Sequence, residues 1–206
     1  MRETPLRDYT TAAGAFVDLV GRVPEAAWGR PALGEWDVRS LVGHTARALS
    51  TVRDYLGRPA ETIRADSAVA YHVAAAAATD DAAVAARGRE AGAALGGDPA
   101  AAVRASAALT LERLRAVPPG TDPVIESVAG GIRLSDYLPT RTLERVVHGL
   151  DIARATGVEG PAVPPELLGR VGGLLSGIAA AKGHGPEVLA ALSGRAPLPR
   201  GFSALG

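Results

Sequence analysis

The sequence predicts a mainly all-α protein, and three observations lead to this prediction. Alanine, leucine, valine and arginine dominate the 206 residues, whereas aromatic residues make up only 4%. Such a composition favours helices and offers few of the aromatic and β-branched runs that build a large sheet. Apolar residues recur at steps of three and four along several segments, which is the spacing of a helix with one buried face. Glycines and prolines separate these segments.

The first two helices are indicated by apolar stripes and by a capping residue. Residues 6–20 carry apolar side chains at helical spacing, before a loop that is rich in glycine and proline. Asp37 is a good N-cap for a second helix over residues 38–56. His44 lies on or beside the buried stripe of that helix, so we expect an imidazole at the core.

The middle of the chain is helical with one interruption. Residues 66–95 are rich in alanine and form either one long helix or two. Asp98 is a predicted N-cap, and Pro99 suits the first position of a helix that continues to residue 117. Residues 121–134 have a different pattern, whose central pair of glycines could turn a short hairpin or form a loop.

The next helix holds most of the candidate chemistry. Ser135 is its predicted N-cap, Pro139 is tolerable within the first turn, and Gly157 is placed to end it. Two shorter helices are expected over residues 166–181 and 186–192, followed by an irregular end.

A carboxylate and an imidazole lie one turn apart in this helix. Glu144 and His148 are four residues apart, so their side chains stand one above the other. With His44 they would supply two nitrogens and one carboxylate, which is a ligand set of catalytic zinc sites. Asp151 could accept the free ring N–H of a metal-bound histidine. The same spacing also occurs in helices that bind no metal. In that case Glu144 and His148 are ordinary helix residues, and Asp151 forms a surface pair with Arg154.

Other polar side chains give weaker signals. Arg141, one turn before Glu144, could bind an anionic substrate or form a salt bridge with Asp136 or Glu144. His72 and His184 have no partner at ligand spacing, so we expect both to be solvated.

Composition and motifs exclude several classes of function. The formal net charge is zero and no basic block is continuous, so we expect no nucleic-acid partner. The chain has no cysteine, which excludes disulfides, a thiolate nucleophile and cysteine-ligated zinc. No apolar run reaches the roughly 20 residues that span a bilayer, and no signal peptide is recognisable. We therefore expect a cytoplasmic protein without a membrane partner.

Two motifs together resemble a known family. Residues 36–44 read W-x-x-R-x-L-x-x-H, and residues 144–151 read E-x-x-x-H-G-x-D. This pair is similar to the mycothiol-dependent maleylpyruvate isomerase family of the DinB-like superfamily, over roughly residues 5–157. The resemblance implies a DinB-like four-helix bundle with a divalent metal, usually zinc, at one end. Its three metal ligands correspond to His44, Glu144 and His148.

The resemblance also implies a function and a domain arrangement. It implies a mycothiol-like thiol as cosubstrate and an S-transferase or cis-trans isomerase that acts on a small electrophile. Arg39 and Arg141 are the candidates for anion binding in catalysis. Residues 1–157 would form the bundle, and residues 158–206 a short helical extension packed on it. The alanine-rich helices could expose an apolar face for a homodimer.

Two alternatives remain open from the sequence. One is a metal-containing binding or regulatory module that has kept the bundle without turnover. The other is a thiol-independent, metal-assisted hydrolase or cyclase in a biosynthetic pathway.

Overall fold

The computed structural model describes residues 3–205, except the side chain of Asp81. These residues contain eight α-helices, a short 3-10 helix (Glu25–Ala27) and two antiparallel hairpins, joined by loops. In chain order the helices are α1 (Glu3–Gly21), α2 (Val38–Tyr55), α3 (Ala68–Ala77), α4 (Asp81–Ala94), α5 (Pro99–Arg115), α6 (Leu134–Thr156), α7 (Pro165–Ala181) and α8 (Gly185–Leu192). The strands are β1 (Pro31–Leu33), β2 (Trp36–Asp37), β3 (Val124–Ser127) and β4 (Gly130–Arg133).

Helices α1, α2, α5 and α6 enclose the main apolar core. Phe16, Leu49, Val103 and Leu138, one from each of these helices, are completely buried. Each side chain belongs to the apolar stripe of its own helix, so the amphipathic spacing accounts for the bundle. The prediction of a mainly helical, DinB-like bundle is confirmed. Within residues 3–205 no helix is both long enough and apolar enough to cross a membrane.

Two predicted N-caps are present. The carboxylate of Asp37 accepts the backbone N–H of Ser40 at 2.7 Å, and that of Asp98 accepts the N–H of Ala101 at 2.9 Å. The alanine-rich segment forms two helices, α3 and α4, rather than one. Asp80 caps the second of them in the same way. Short-range capping therefore sets three of the helix starts.

The start of α6 differs from the prediction. The helix begins at Leu134, so Ser135 lies in its first turn and is not the N-cap. The N–H and hydroxyl of Ser135 both donate to the carboxylate of Asp122, at 3.0 and 2.6 Å. Asp122 is 13 residues away along the chain, so a more distant acceptor replaces the predicted local cap. Pro139 consequently lies inside the helix rather than in its first turn.

Residues 124–133 form a hairpin, which resolves the choice between a hairpin and a loop. Gly130 takes a left-handed conformation (φ 84°) directly after the turn. A Cβ at Gly131 would lie 2.0 Å from the carbonyl oxygen of Thr62, so only glycine allows the preceding segment to approach. The hairpin brings Val128 to the wall of a large cavity beside α6.

Helix α7 packs on the outer face of α6. Leu143 and Val146 of α6 form a second apolar cluster with Leu167, Val171 and Ile178 of α7. Helix α7 therefore covers part of the helix that carries Glu144 and His148.

Candidate metal centre

Helices α2 and α6 bring the three predicted metal ligands together. The Nε2 atom of His148 lies 3.2 Å from Oε2 of Glu144, and Nε2 of His44 lies 3.7 Å from the same oxygen. One potential ligand atom from each residue lies within 4.8 Å of the other two. His44 comes from the middle of α2, so packing of α2 against α6 creates a cluster that spans 104 residues of sequence.

All three side chains are mostly buried but remain open on one side. Their exposed fractions are 20% for His44, 18% for Glu144 and 11% for His148. A cation between them would therefore be shielded from bulk water while one side stayed accessible to a small molecule. Catalytic metal sites need this combination, because the substrate must reach the metal.

The electrostatic environment keeps Glu144 ionised. Burial alone would raise the pKa of this carboxyl, but its contacts with His148 and His44 and the charge of Arg141 hold its pKa well below the ordinary value. The guanidinium Nη2 of Arg141 lies 3.9 Å from Oε1 of Glu144. Glu144 is therefore a carboxylate, as a metal ligand must be.

Asp151 orients His148 from the opposite side of the ring. Its Oδ2 atom lies 3.3 Å from Nδ1 of His148, and its Oδ1 accepts a hydrogen bond from Arg154 at 2.8 Å. Burial lowers the pKa of His148, but Asp151 and Glu144 together raise it to about 9. Asp151 thus contacts both His148 and Arg154. A proton on Nδ1 leaves Nε2 free as a ligand atom.

Trp36 holds the second imidazole in place. Its ring lies 4.4 Å from that of His44, centroid to centroid, and its indole N–H donates to the carbonyl oxygen of Ala85 on α4 at 3.0 Å. A Cβ at Gly88 would lie 2.5 Å from the indole ring, so glycine leaves the space that the indole occupies. Trp36 thus links α4 to the orientation of His44.

Arg141 lies beside the cluster, as its spacing indicated. Its guanidinium carbon lies 5.3 and 5.1 Å from the ring centroids of Tyr71 and Tyr137, and its Nε donates to Thr140 at 3.0 Å. Burial opposes its charge, but the neighbouring tyrosines and Glu144 raise its pKa. It therefore remains a fixed positive charge near Glu144.

Arg39 is not brought to the cluster. Its guanidinium donates to the carbonyl oxygens of Gly92 and Gly96, at 3.2 and 3.0 Å. Because Arg39 precedes His44 by five residues, it points about 140° around the helix axis from it. Arg39 connects α2 to the end of α4 instead of facing Glu144 and His148.

Two adjoining cavities reach the candidate ligands. The α2/α4 cavity, of about 500 Å³, is lined by side chains of α2 and α4, including Arg47 and Arg87. The α3/α7 cavity, of about 530 Å³, is lined by side chains of α3, including His72, by Ile178 of α7 and by Lys182 directly after α7. Both cavities are also lined by residues near the cluster: His44, Tyr71, Arg141 and Glu144. A small molecule in either one would lie beside the candidate ligands.

His72 is a site residue that sequence reasoning missed. It was expected to be solvated, but its Nε2 atom is buried and has no hydrogen-bond partner within residues 3–205. Burial lowers the pKa of His72 to about 4, so the imidazole is neutral at physiological pH. The position of α3 above α6 puts His72 at the cavity, and no local pattern in the sequence indicates that packing.

The donor set fits a divalent cation. Two imidazole nitrogens and one carboxylate oxygen converge, the carboxylate is ionised, and Asp151 orients His148, which precedes it by about one helix turn. His44, Glu144 and His148 could therefore hold zinc with one position left for a small molecule.

Comparison with known proteins identifies the family. The family model described as the mycothiol maleylpyruvate isomerase N-terminal domain matches residues 9–153. No curated protein and no solved structure matches the chain. The matched segment covers most of the chain and includes every residue of the cluster and Asp151. The chain therefore belongs to the mycothiol maleylpyruvate isomerase N-terminal domain family.

Proposed function

We propose that the chain is a metal-dependent enzyme that uses a mycothiol-like thiol cosubstrate. It would act as an S-transferase or a cis-trans isomerase on a small electrophilic substrate. His44, Glu144 and His148 would hold the cation, with zinc as the expected metal. The observation that supports this most directly is the convergence of these three side chains, open to two cavities, in a chain of this family.

A thiol that takes part in the reaction would have to come from a cosubstrate. The chain contains no cysteine, so the nucleophilic sulfur must belong to a cosubstrate. A bound divalent cation would supply the chemistry that a free thiol lacks, since coordination lowers the pKa of a thiol from about 8.5 and makes thiolate available at neutral pH.

The chain's own residues prepare the site for this reaction. Asp151 holds the Nδ1 proton of His148 and leaves Nε2 directed at Glu144. Trp36 restricts the ring of His44. Arg141 presents a positive charge at the wall of both cavities, where it would attract an anionic substrate or stabilise negative charge that develops during the reaction.

Residues 1–157 and 158–206 would have separate tasks. The first range provides all the candidate ligands. The second range would act as a helical extension that closes the substrate cavity, because Ile178 of α7 and Lys182, directly after α7, line the α3/α7 cavity. The Nζ atom of Lys182 also donates to the carbonyl oxygen of Leu205 at 3.0 Å.

Metal content is the first test of the proposal. Protein prepared without an affinity tag or chelator is expected to contain close to one zinc per chain. His148→Ala should lose the metal, because a ligand is removed. His184→Ala is the matched control, since His184 is exposed and lies outside the cluster. Circular dichroism establishes that both variants are folded. Equal metal content in wild type and His148→Ala would contradict the assigned ligands.

Thiol-dependent turnover is the second test. The zinc-loaded protein is mixed with a small thiol and a panel of electrophiles, and consumption of each is followed. Turnover that requires both zinc and thiol is expected. Turnover without thiol would favour a metal-assisted hydrolase or cyclase, and saturable thiol binding without turnover would favour a binding module. Either result would contradict the proposed reaction while leaving the metal centre in place.

A further inference from the structure

Two arginines, one from α2 and one from α4, face the α2/α4 cavity. Arg47 of α2 and Arg87 of α4 both line this cavity and are partly buried. Among the side chains that the structure describes, neither guanidinium has an ion pair or a side-chain hydrogen bond. Arg89, two residues after Arg87 on the same helix, differs because it is exposed and pairs with Glu35 at 3.2 Å.

The carboxylates in the cavity wall have other partners. Glu144 contacts His44, His148 and Arg141 within the candidate metal centre. Asp80 accepts the backbone N–H at the start of α4, where it is the N-cap. The positive charges of the two arginines are therefore not neutralised by contact with these two carboxylates. Partial burial of a guanidinium without an ionic partner costs desolvation free energy. The attraction of a bound anionic ligand would offset that cost.

The position of the two arginines relates them to the candidate metal centre. Arg47 follows His44 by three residues on α2, so the two side chains are neighbours on one face of the helix. The cavity that the arginines line is also lined by His44 and Glu144, and its volume of about 500 Å³ suits a small organic molecule. An anionic group held by the arginines would leave the rest of the molecule beside the candidate ligands.

We propose that Arg47 and Arg87 form an oxyanion subsite that binds a carboxylate or phosphate group of the electrophilic substrate. This inference rests on the proposed function for the role of the ligand as substrate. The subsite itself depends only on the two arginines and the cavity. Planar guanidinium groups from two helices can hold an oxyanion by charge-assisted hydrogen bonds and so orient the electrophilic end of the substrate. The substrate class is accordingly a small organic acid or a small phosphorylated compound.

Anion titration tests the subsite without knowledge of the substrate. Succinate and inorganic phosphate are titrated separately into zinc-loaded and metal-free protein by calorimetry, at constant ionic strength and without thiol. Saturable binding of at least one probe is expected. Arg47→Gln and Arg87→Gln should each weaken it about tenfold or more, because each removes a charge-assisted contact. Arg89→Gln is the matched control and should bind as wild type does. Circular dichroism and zinc content verify that every variant is intact.

The results of this experiment distinguish a carboxylate ligand from a phosphate ligand. They also distinguish failure of the subsite from failure of the proposed function. Tighter binding of succinate identifies a carboxylate, and tighter binding of phosphate identifies a phosphoryl group. Dissociation constants above ~10 mM for both probes, or equal weakening in Arg89→Gln, would overturn the subsite. If zinc binds but neither anion does, only the subsite fails. If an anion binds through Arg47 and Arg87 but zinc never binds, the proposed function fails and the subsite stands.

Discussion

His148 has an acidic partner on each ring nitrogen, and this has a measurable consequence. Burial lowers the pKa of His148, but Asp151 at Nδ1 and Glu144 at Nε2 raise it to about 9 in the metal-free chain. We predict that the imidazole titrates near pH 9 rather than near 6.5. Asp151→Asn should move the midpoint toward 6.5, because it removes the negative charge beside Nδ1. NMR titration of the metal-free protein measures both midpoints.

The same pKa sets the direction of two pH dependences. Because the folded chain holds this proton more tightly than the unfolded chain does, the stabilisation is fully present below pH 6.5 and is lost as the pH rises through 9. Zinc must displace the proton, so its apparent affinity should rise with pH up to about 9. Arg154→Gln is the control for the NMR experiment, since Arg154 contacts Asp151 but not His148. A midpoint near 6.5 in wild type would contradict the assignment.

The sequence predicts the position of some site residues and not of others. Glu144 and His148 share one helix turn, so four-residue spacing was enough to place them together. His44 required the packing of α2 on α6, which the two motifs of the family indicated. His72 and the direction of Arg39 could not be predicted, because each depends on which neighbouring helix covers that side of its own helix.

At the scale of elements, α2 and α4 approach so closely that glycine is required. A Cβ at Gly43 would lie 2.2 Å from the backbone nitrogen of Gly92, and one at Gly92 would lie 2.8 Å from the carbonyl oxygen of Arg39. Both close contacts are with backbone atoms, which cannot move away by rotation as the end of a long side chain can. Gly14 on α1 differs, since it is exposed and a Cβ there would meet nothing within 4 Å.

Alanine substitutions at these positions should have opposite effects on stability. Gly43→Ala must push α4 away from α2 and should lower the free energy of unfolding by more than ~2 kcal/mol. Gly14→Ala should raise it by up to ~1 kcal/mol, because alanine favours a helix and no clash opposes it. Urea denaturation of the metal-free variants measures both changes. A neutral or stabilising Gly43→Ala would show that the two helices can separate at little cost.

Helix boundaries were predictable where the signal was local. Asp37 and Asp98 act within three residues, so each could be recognised in the sequence. The start of α6 was predicted incorrectly, because Ser135 donates to Asp122 across a hairpin instead of accepting an N–H within its own helix. The alanine-rich segment was ambiguous since its helical propensity is high on both sides of the break before α4.

At the scale of the whole molecule, the sequence predicts the four-helix bundle. It does not predict that α7 packs on the outer face of α6. Amphipathic spacing indicates that α1, α2, α5 and α6 each have one buried face. Helix α6, however, buries two faces, one in the main core and one against α7. The second face includes Leu143 and Val146, whose partners in α7 lie more than twenty positions later in the chain. An amphipathic pattern does not specify which later segment covers such a face.

The ion pair of Asp8 and Arg170 adds to the attachment of α7. The guanidinium of Arg170 donates to both carboxylate oxygens of Asp8, at 2.5 and 2.8 Å, and so connects α7 to α1. Asp8 is buried, whereas Arg170 is partly exposed to solvent. Solvent therefore weakens this pair, and the apolar contacts of α7 should contribute most of the attachment.

We therefore predict that residues 158–206 stabilise the bundle and do not form an independent unit. A chain that ends at Gly157 should expose the apolar face of α6, lose several kcal/mol of unfolding free energy and self-associate, since that face is no longer covered. Arg170→Gln in the full chain should cost only ~1 kcal/mol, because it removes the ion pair and leaves the apolar contacts. Denaturation of both variants, with light scattering for association, measures these effects.

The full chain should unfold in one transition that includes α7. A shortened chain as stable and monomeric as the full one would show that the bundle is complete without α7, and the extension would then act only on the cavity that Ile178 and Lys182 line.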